Sequence, residues 1–202
     1  MPVASPALTL PSPLRQAQGG AKGRGFFGDD CRACSEHPLA MTRTRAAFRY
    51  EGDVRRIVHA FKFGGQSALA ASLGEVLTGV WEEHGFDVDA IVPVPLTAMR
   101  RRTRGFNQAL LLAREVSRAS SVAVDEVLRR RRGGPPQAGS ASAVERRRNV
   151  EGAFEAGRLV AGKRLLLIDD VITTGATLDA CARALIDAGA SEVSALTLAR
   201  ED

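Results

Sequence analysis

The stretch Leu165–Thr177 reads LLLIDDVITTGAT and joins an apolar run to a cluster of polar side chains. The run GKRLLLI ahead of the acids predicts a strand that is buried on both faces, as in a parallel sheet covered by helices. Residues 176–188 carry apolar side chains at helical spacing, and EVSALTLA follows them as another strand. Strand, helix and strand in this order predict a βαβ unit, and therefore an α/β fold with a parallel sheet.

The turn DDVITTG would lie at the carboxyl end of a parallel strand, where open α/β sheets bind ligands. Residues 173–177 surround the predicted start of a helix, whose free N–H groups and dipole attract anions. The carboxylates of Asp169 and Asp170 would repel an anion unless they face ribose hydroxyls or a Mg²⁺ shell. We therefore expect a site for a ribose 5-phosphate with a divalent cation nearby. The alternative is an ordinary helix cap with a solvated turn.

Charge is concentrated in one part of the chain. Residues 100–148 contain 13 arginines and four acids, a net charge of +9, whereas the whole chain carries +5. Such a concentration indicates an anionic partner, either a phosphorylated small molecule or a nucleic acid. No run of about 18 apolar residues and no signal-peptide pattern is present, so we expect a cytoplasmic protein without a membrane partner.

The remaining pattern predicts further elements before the βαβ unit. We expect strands at residues 44–51 and 89–96 and near 122–124, and helices at 54–63, 67–84 and 107–118. Asp53 is the expected cap of the first helix, and Gly64 and Gly65 are expected to end it. The segment TAMRRRTRG is assigned to a loop.

Several segments resemble known families. LLLIDDVITTGAT is similar at every position to the 5-phosphoribosyl-1-pyrophosphate (PRPP) signature of type I phosphoribosyltransferases. YEGDVRRIVHAFKFGG, IVPVPLTAMRRRTRGFNQALLLA and ERRRNVEGAF resemble the ComF family, which includes competence protein F of DNA-uptake systems. The resemblance spans about residues 42–200. It implies a type I phosphoribosyltransferase fold, with a mostly parallel central sheet flanked by helices and a small hood region.

The resemblance also implies an activity and the residues that carry it. The chain would be a Mg²⁺-dependent phosphoribosyltransferase that acts on PRPP. Asp169 and Asp170 would contact the ribose hydroxyls, and they are the candidate protein ligands of a Mg²⁺ ion that binds through PRPP. The loop that holds the 5-phosphate would consist of Thr173, Thr174, Gly175, Ala176 and Thr177. The loop that holds pyrophosphate would include Leu96, Thr97, Arg100 and Arg104. The alternative for this second loop is the solvated start of a basic helix.

A flexible lid is implied at residues 129–149, with Arg146 and Arg148 reaching pyrophosphate when it closes. Closure would exclude water, which would otherwise hydrolyse PRPP. The alternative is a disordered basic linker or a nucleic-acid patch. The acceptor would bind under the hood, where Lys62, Phe63 and Gly64 are candidate lining residues.

The domain organisation follows from these assignments. Residues 1–41 form an expected disordered leader, and residues 42–202 form the transferase domain, in which 42–85 are the hood and first helices. Many relatives carry a zinc ribbon of two CxxC pairs, but the leader offers only Cys31 and Cys34, with His37 as a third ligand. Because a structural zinc site needs four ligands, we expect no zinc here.

Two classes of function remain open on the sequence. One is an enzyme that transfers the phosphoribosyl group to an acceptor that the sequence does not identify. The other is a non-catalytic protein that senses PRPP or handles single-stranded DNA, with a competence helicase as partner. A homodimer through the apolar face of the 67–84 helix is a further expectation.

Overall fold

The computed structural model describes residues 39–131, 150 and 152–201. Residues 1–38 of the predicted leader, with Cys31 and Cys34, lie outside the described residues. So do Arg146, Arg148 and most of the predicted lid. The last three residues of the leader, 39–41, are described, and Ala40 is held by a hydrogen bond to Asp179, so the expectation of disorder was wrong for them.

Six strands and five helices make up the described chain. The strands are β1 (Arg43–Arg49), β2 (Ala90–Pro93), β3 (Leu128–Arg130), β4 (Phe154–Ala156), β5 (Arg164–Ile172) and β6 (Glu192–Arg200). The helices are α1 (Gly52–Phe63), α2 (Leu69–His84), α3 (Ala98–Arg104), α4 (Gln108–Ser120) and α5 (Ala176–Asp187).

The central sheet has the order β1-β6-β5-β2, and every neighbouring pair is parallel. Val124 adds an isolated parallel bridge beside Ile91, where the sequence predicted a strand. A separate antiparallel pair, β3 and β4, flanks the segment predicted as the lid. The predicted α/β fold is therefore confirmed, with β5 at the inside of the sheet.

The apolar run of β5 is continuous because helices cover both faces of the sheet. Leu165 and Leu167 pack into the core that includes α5, whereas Leu166 and Ile168 pack into the core that includes α2 and α4. All four side chains are fully buried. This alternation fixes which face each later residue of β5 points to.

Helix α1, which belongs to the segment predicted as the hood and is called the hood helix below, lies near the carboxyl end of the sheet. Its Val54 and Val58 pack with Ala199 of β6 and with Val171 of β5. The predicted cap was wrong by two residues, because Glu51 precedes the helix and Asp53 lies in its first turn.

Helix α2 packs against α4 inside the chain. A Cβ on Gly74 would lie 2.2 Å from the Cβ of Glu115, so the two helices approach closely only because position 74 is glycine. Leu73 and Leu77 are fully buried on the same side. The apolar face that we expected to support a dimer is therefore covered by the chain itself.

Helix α3 was missed by the sequence analysis, which assigned its residues to a loop. Thr97 caps the helix through a bond from the Arg100 N–H, and Gly105 ends it in the left-handed conformation. Within the described parts of the chain, no helix is both long enough and apolar enough to cross a membrane.

Candidate functional site

The two adjacent aspartates point to opposite faces of the sheet. Asp169 continues the row of Leu165 and Leu167 towards α5, and Asp170 continues the row of Leu166 and Ile168 towards the other face. The pleat of β5 therefore separates two carboxylates that are neighbours in sequence. This arrangement reduces their repulsion without removing it.

Asp169 lies in an environment that disfavours its charge. Burial raises its pKa from 3.8 to about 7, and the negative charge of Asp170 adds to the rise. The N–H of Asp170 donates to Asp169 Oδ1 at 2.8 Å, and this bond lowers the pKa of Asp169. The positive charges of Lys62 and Arg100 also lower it. These favourable contacts do not offset the burial and the charge of Asp170, so the pKa of Asp169 stays raised.

Asp170 is buried, and its charge is compensated by an ion pair with the hood. Lys62 Nζ lies 2.8 Å from Asp170 Oδ1, and the two side chains are only 18% and 10% exposed. Lys62 was predicted to line the acceptor site. The structure places its ammonium group on Asp170, one of the two carboxylates of the signature.

The predicted 5-phosphate loop opens helix α5. Gly175 is its N-cap with φ of +74°, a conformation that a residue with a side chain adopts only under strain. Thr174 Oγ1 accepts a long bond from the Ala176 N–H at 3.4 Å, whereas Thr173 is exposed. Hydroxyls and N–H groups are thus gathered at the positive end of a helix of 12 residues.

The segment before β1, which was expected to belong to a disordered leader, lies against this loop. The Ala40 N–H donates to Asp179 Oδ1 at 2.7 Å, in the first turn of α5. A Cβ on Gly175 would lie 3.3 Å from Leu39 Cδ1. Leu39 therefore restricts the space on one side of the phosphate loop.

Helix α3 supplies the cations near the carboxylates. Arg104 is partly buried, which lowers its pKa, while the charges of Asp170 and Asp169 act to raise it. Arg100 is exposed on the same helix and acts electrostatically on Asp169. The structure thus brings the predicted pyrophosphate arginines close enough to the predicted ribose acids for their charges to interact.

The segment RGFNQ (Arg104–Gln108) ties this helix to the hood. Asn107 caps α4 by accepting from the Ala109 N–H, and its amide donates to the Val94 carbonyl after β2. Gln108 is buried, and its amide reaches the carbonyls of Phe61 and Lys62 at 3.5 Å each. Sequence reasoning used this segment only for its resemblance and missed the role of Gln108.

A cavity lies at the other end of the central sheet from the candidate site. It has a volume of about 320 Å³ and is lined by the starts of β1, β5 and β6, including Arg43 and Arg164. Arg164 is paired with Asp87 and Asp89, and Arg43 donates to the carbonyls of His84 and Gly85. Its arginines are therefore already engaged by the protein, and it lies at the amino ends of the strands, where α/β sheets rarely bind substrates.

Among the described residues, no group of three or more His, Cys, Asp or Glu side chains could hold a metal ion. Cys181 is buried in α5, and burial raises its pKa, so it packs as an apolar side chain rather than acting as a thiolate. The two aspartates of β5 remain the candidate protein ligands for a cation.

Comparison with known proteins places the chain in a family. A family model described as "Phosphoribosyl transferase domain" matches residues 103–202. The DNA utilization protein YhgH of Escherichia coli O157:H7 is 32% identical over 176 residues, which cover 84% of this chain and 77% of that protein. Competence protein ComFC of Bacillus subtilis is 30% identical over 182 residues, which cover 84% of this chain and 72% of that protein. The chain belongs to the ComF family.

The fold of this ComF-family chain is the type I phosphoribosyltransferase fold, as the sequence predicted. Among solved structures, the glutamine PRPP amidotransferase of B. subtilis matches 65% of this chain and 26% of its own, with 24% identity and a TM-score of 0.46. The predicted carboxylates, phosphate loop and arginine helix all lie at the carboxyl end of the central sheet.

Proposed function

We propose that this ComF-family chain binds PRPP together with Mg²⁺ and transfers its phosphoribosyl group to an acceptor. The observation that carries the proposal is the convergence of three groups at one end of β5. Two carboxylates, a threonine-rich helix start and an arginine-bearing helix lie at this end, and the charges of Arg104 and both carboxylates interact. Each matches one part of PRPP: the ribose hydroxyls, the 5-phosphate and the pyrophosphate.

The residues present fit a magnesium ion that arrives with its substrate. Mg²⁺ keeps several waters and binds through one or two carboxylates plus substrate phosphates. The site offers two carboxylates, and the described residues form no closed cage. Burial and the charge of Asp170 raise the pKa of Asp169, so a cation bound beside it would stabilise its charged form. The carboxylates of Asp169 and Asp170 would hold Mg²⁺ directly or through its bound waters. The ion would neutralise charge on the pyrophosphate.

The chain's own groups would act mainly by positioning and by electrostatics. In the transfer, the bond between C1 of the ribose and the pyrophosphate oxygen breaks, and its electron pair leaves with pyrophosphate. A lone pair of the acceptor forms the new bond to C1. Arg100 and Arg104 would stabilise the charge that develops on the leaving group, since guanidinium groups bind phosphate oxygens in a fixed fork. The loop at Gly175 would fix the other end of the substrate.

Substitution of Arg104 tests this assignment. We expect Arg104→Met to weaken binding of Mg²⁺-PRPP in calorimetry by about tenfold or more, which corresponds to roughly 1.4 kcal/mol. Arg118→Met is the matched control, because Arg118 is exposed in the last turn of α4 and pairs only with Glu115 among the described residues. Equal affinities of the two variants, both folded by circular dichroism, would contradict the assignment of Arg104.

Release of pyrophosphate tests turnover separately from binding. We expect Mg²⁺-dependent release from PRPP when the correct acceptor, such as ammonia or an amine, is supplied. Tight PRPP binding without release for any acceptor in a broad screen would favour the alternative of a PRPP sensor.

Handling of single-stranded DNA is a second candidate function. Arg101 and Arg102 are exposed on α3 beside Arg100, and one relative is named a DNA utilization protein. We expect Arg101→Met/Arg102→Met to weaken binding of a labelled oligonucleotide and to lower its salt dependence, since each lost phosphate contact reduces the slope by about one. The same variant should bind Mg²⁺-PRPP like the wild type if the two sites are distinct.

A further inference from the structure

The ion pair between Lys62 and Asp170 joins the hood to the signature strand. The residues are far apart in sequence, yet Nζ and Oδ1 lie 2.8 Å apart and both side chains are mostly buried. Lys62 is one of three lysines in a chain with 28 lysines and arginines. Its position is therefore a specific feature of the site rather than part of the general basic surface.

Two further contacts hold the end of α1 at this place. The Gln108 amide reaches the carbonyl of Lys62, and the Arg104 guanidinium lies 4.7 Å from the centre of the Phe63 ring. Position 64 must be glycine, because a Cβ there would lie 2.7 Å from the Ala60 carbonyl oxygen. The last turn of the hood helix is thus fixed between the ribose acids and the pyrophosphate arginines.

The pair leaves part of Asp170 available to a ligand. Lys62 engages Oδ1, and within the described residues no hydrogen bond is formed by Oδ2. A carboxylate accepts through both oxygens, so Oδ2 can accept from a ribose hydroxyl while Lys62 fixes the other oxygen. Removing one partner of a buried pair leaves an uncompensated charge, which makes the orientation of the other partner costly to keep.

We propose that Lys62 is a positioning residue, which holds the Asp170 carboxylate oriented to accept hydrogen bonds from the ribose of the substrate. The inference rests on the proposed PRPP site and goes beyond it, because it assigns a role in ribose binding to the hood. Lys62 acts through Asp170 and not as another phosphate-binding cation.

Three probes separate these roles in calorimetric titrations. Ribose 5-phosphate has the ribose hydroxyls and the 5-phosphate, whereas pyrophosphate has neither of them. PRPP, added with Mg²⁺, has the hydroxyls, the 5-phosphate and the pyrophosphate. We expect Lys62→Met to weaken ribose 5-phosphate and PRPP about tenfold or more, and to leave pyrophosphate within about twofold of the wild type. Lys163→Met is the control, because Lys163 precedes β5 at its other end, about 23 Å from Asp170 at ~3.3 Å per residue.

A double-mutant cycle with Asp170→Asn tests whether Lys62 acts through Asp170. In the Asp170→Asn background we expect Lys62→Met to cause no further loss of ribose 5-phosphate binding. Lys62→Arg, which keeps the cation, should bind ribose 5-phosphate within about threefold of the wild type. The double variant removes both charges of the pair. If Lys62→Met alone fails to fold, comparison of the double variant with Asp170→Asn still measures the effect of Lys62.

The outcomes separate this inference from the proposed function. If the wild type binds neither PRPP nor ribose 5-phosphate, the proposed function itself fails. If the wild type binds and Lys62→Met binds equally well, the inference alone is overturned. An equal loss of pyrophosphate binding, or additive effects with Asp170→Asn, would also overturn it, because Lys62 would then act as an independent phosphate contact.

Discussion

Neutralising Asp169 should stabilise the ligand-free protein, whereas neutralising its neighbour Asp170 should destabilise it. Asp169 is held where burial and a second carboxylate disfavour its charge, and Asp170 is paired with Lys62. Asp169→Asn and Asp170→Asn make the same chemical change one residue apart. The first removes an unfavourable buried charge, whereas the second removes a favourable ion pair with Lys62. Both should weaken PRPP binding.

The size of the first effect follows from the pKa of Asp169. A rise from 3.8 to about 7 corresponds to roughly 4 kcal/mol between the charged and neutral forms, which is an upper limit on the gain. An amide retains the bond from the Asp170 N–H but not every favourable contact, so we expect a gain of about 1–3 kcal/mol in the free energy of unfolding. For Asp170→Asn we expect a loss of roughly 3 kcal/mol, because Lys62 is left buried without its partner.

The pH dependence of the free energy of unfolding tests independently whether the charge of Asp169 destabilises the folded protein. An acid whose pKa is raised by folding binds its proton more tightly in the folded chain. Its ionisation therefore removes stability progressively as pH rises from about 4 to above 7. The advantage of Asp169→Asn over the wild type should be near zero at about pH 4 and full at about pH 8.

Urea unfolding of the three proteins without ligand, at both pH values, measures these differences directly. The reasoning is refuted if Asp169→Asn is no more stable than the wild type at about pH 8, or if its advantage is the same at about pH 4. A stabilising Asp170→Asn would refute the role assigned to the ion pair.

Three further substitutions test other parts of the site and its scaffold. Gly175→Ala should cost about 1–2 kcal/mol of stability for the left-handed backbone and should abolish measurable ribose 5-phosphate binding, because the added methyl meets Leu39 and stiffens the loop. Asn107→Ala should lower the free energy of unfolding by about 1–2 kcal/mol, as measured by urea titration, through loss of the helix cap and of the bond to the Val94 carbonyl. Asn107→Asp should recover only part of this, because it keeps the cap but sets a carboxylate oxygen against that carbonyl. Gly74→Ala should lower the melting temperature through a clash with Glu115, at a cost of about 1–3 kcal/mol, and an unchanged melting temperature would show that α2 and α4 can separate.

The sequence was sufficient for the parts of the site that are local. The apolar run before Asp169 and the glycine at the start of α5 predict a strand, a turn and a helix, and all three are confirmed. The helix bounds agree within one residue, because a helix with an apolar stripe leaves a clear periodicity. The strand was predicted to end before Asp169, but β5 continues to Ile172, so the predicted turn DDVITTG is shorter than expected. The carboxylates and the phosphate loop could therefore be assigned to one end of the sheet without the structure.

The contacts that join distant segments could not be predicted in this way. Nothing in the spacing of residues indicates that Lys62 pairs with Asp170 or that Gln108 reaches the end of α1, because such pairings depend on how helices pack on the sheet. Helix α3 was missed for a different reason. It has seven residues, none of them buried, so its start at Thr97 leaves no apolar periodicity to recognise.

The central claim is that the carboxyl end of β5 binds PRPP with Mg²⁺. Calorimetric titration of Mg²⁺-PRPP into the wild type and into Asp169→Asn/Asp170→Asn, at moderate salt, tests it most directly. We predict saturable binding by the wild type that requires Mg²⁺, and loss of that binding in the double variant while it remains folded. Binding of equal affinity in the double variant, or no binding by the folded wild type, would contradict the claim.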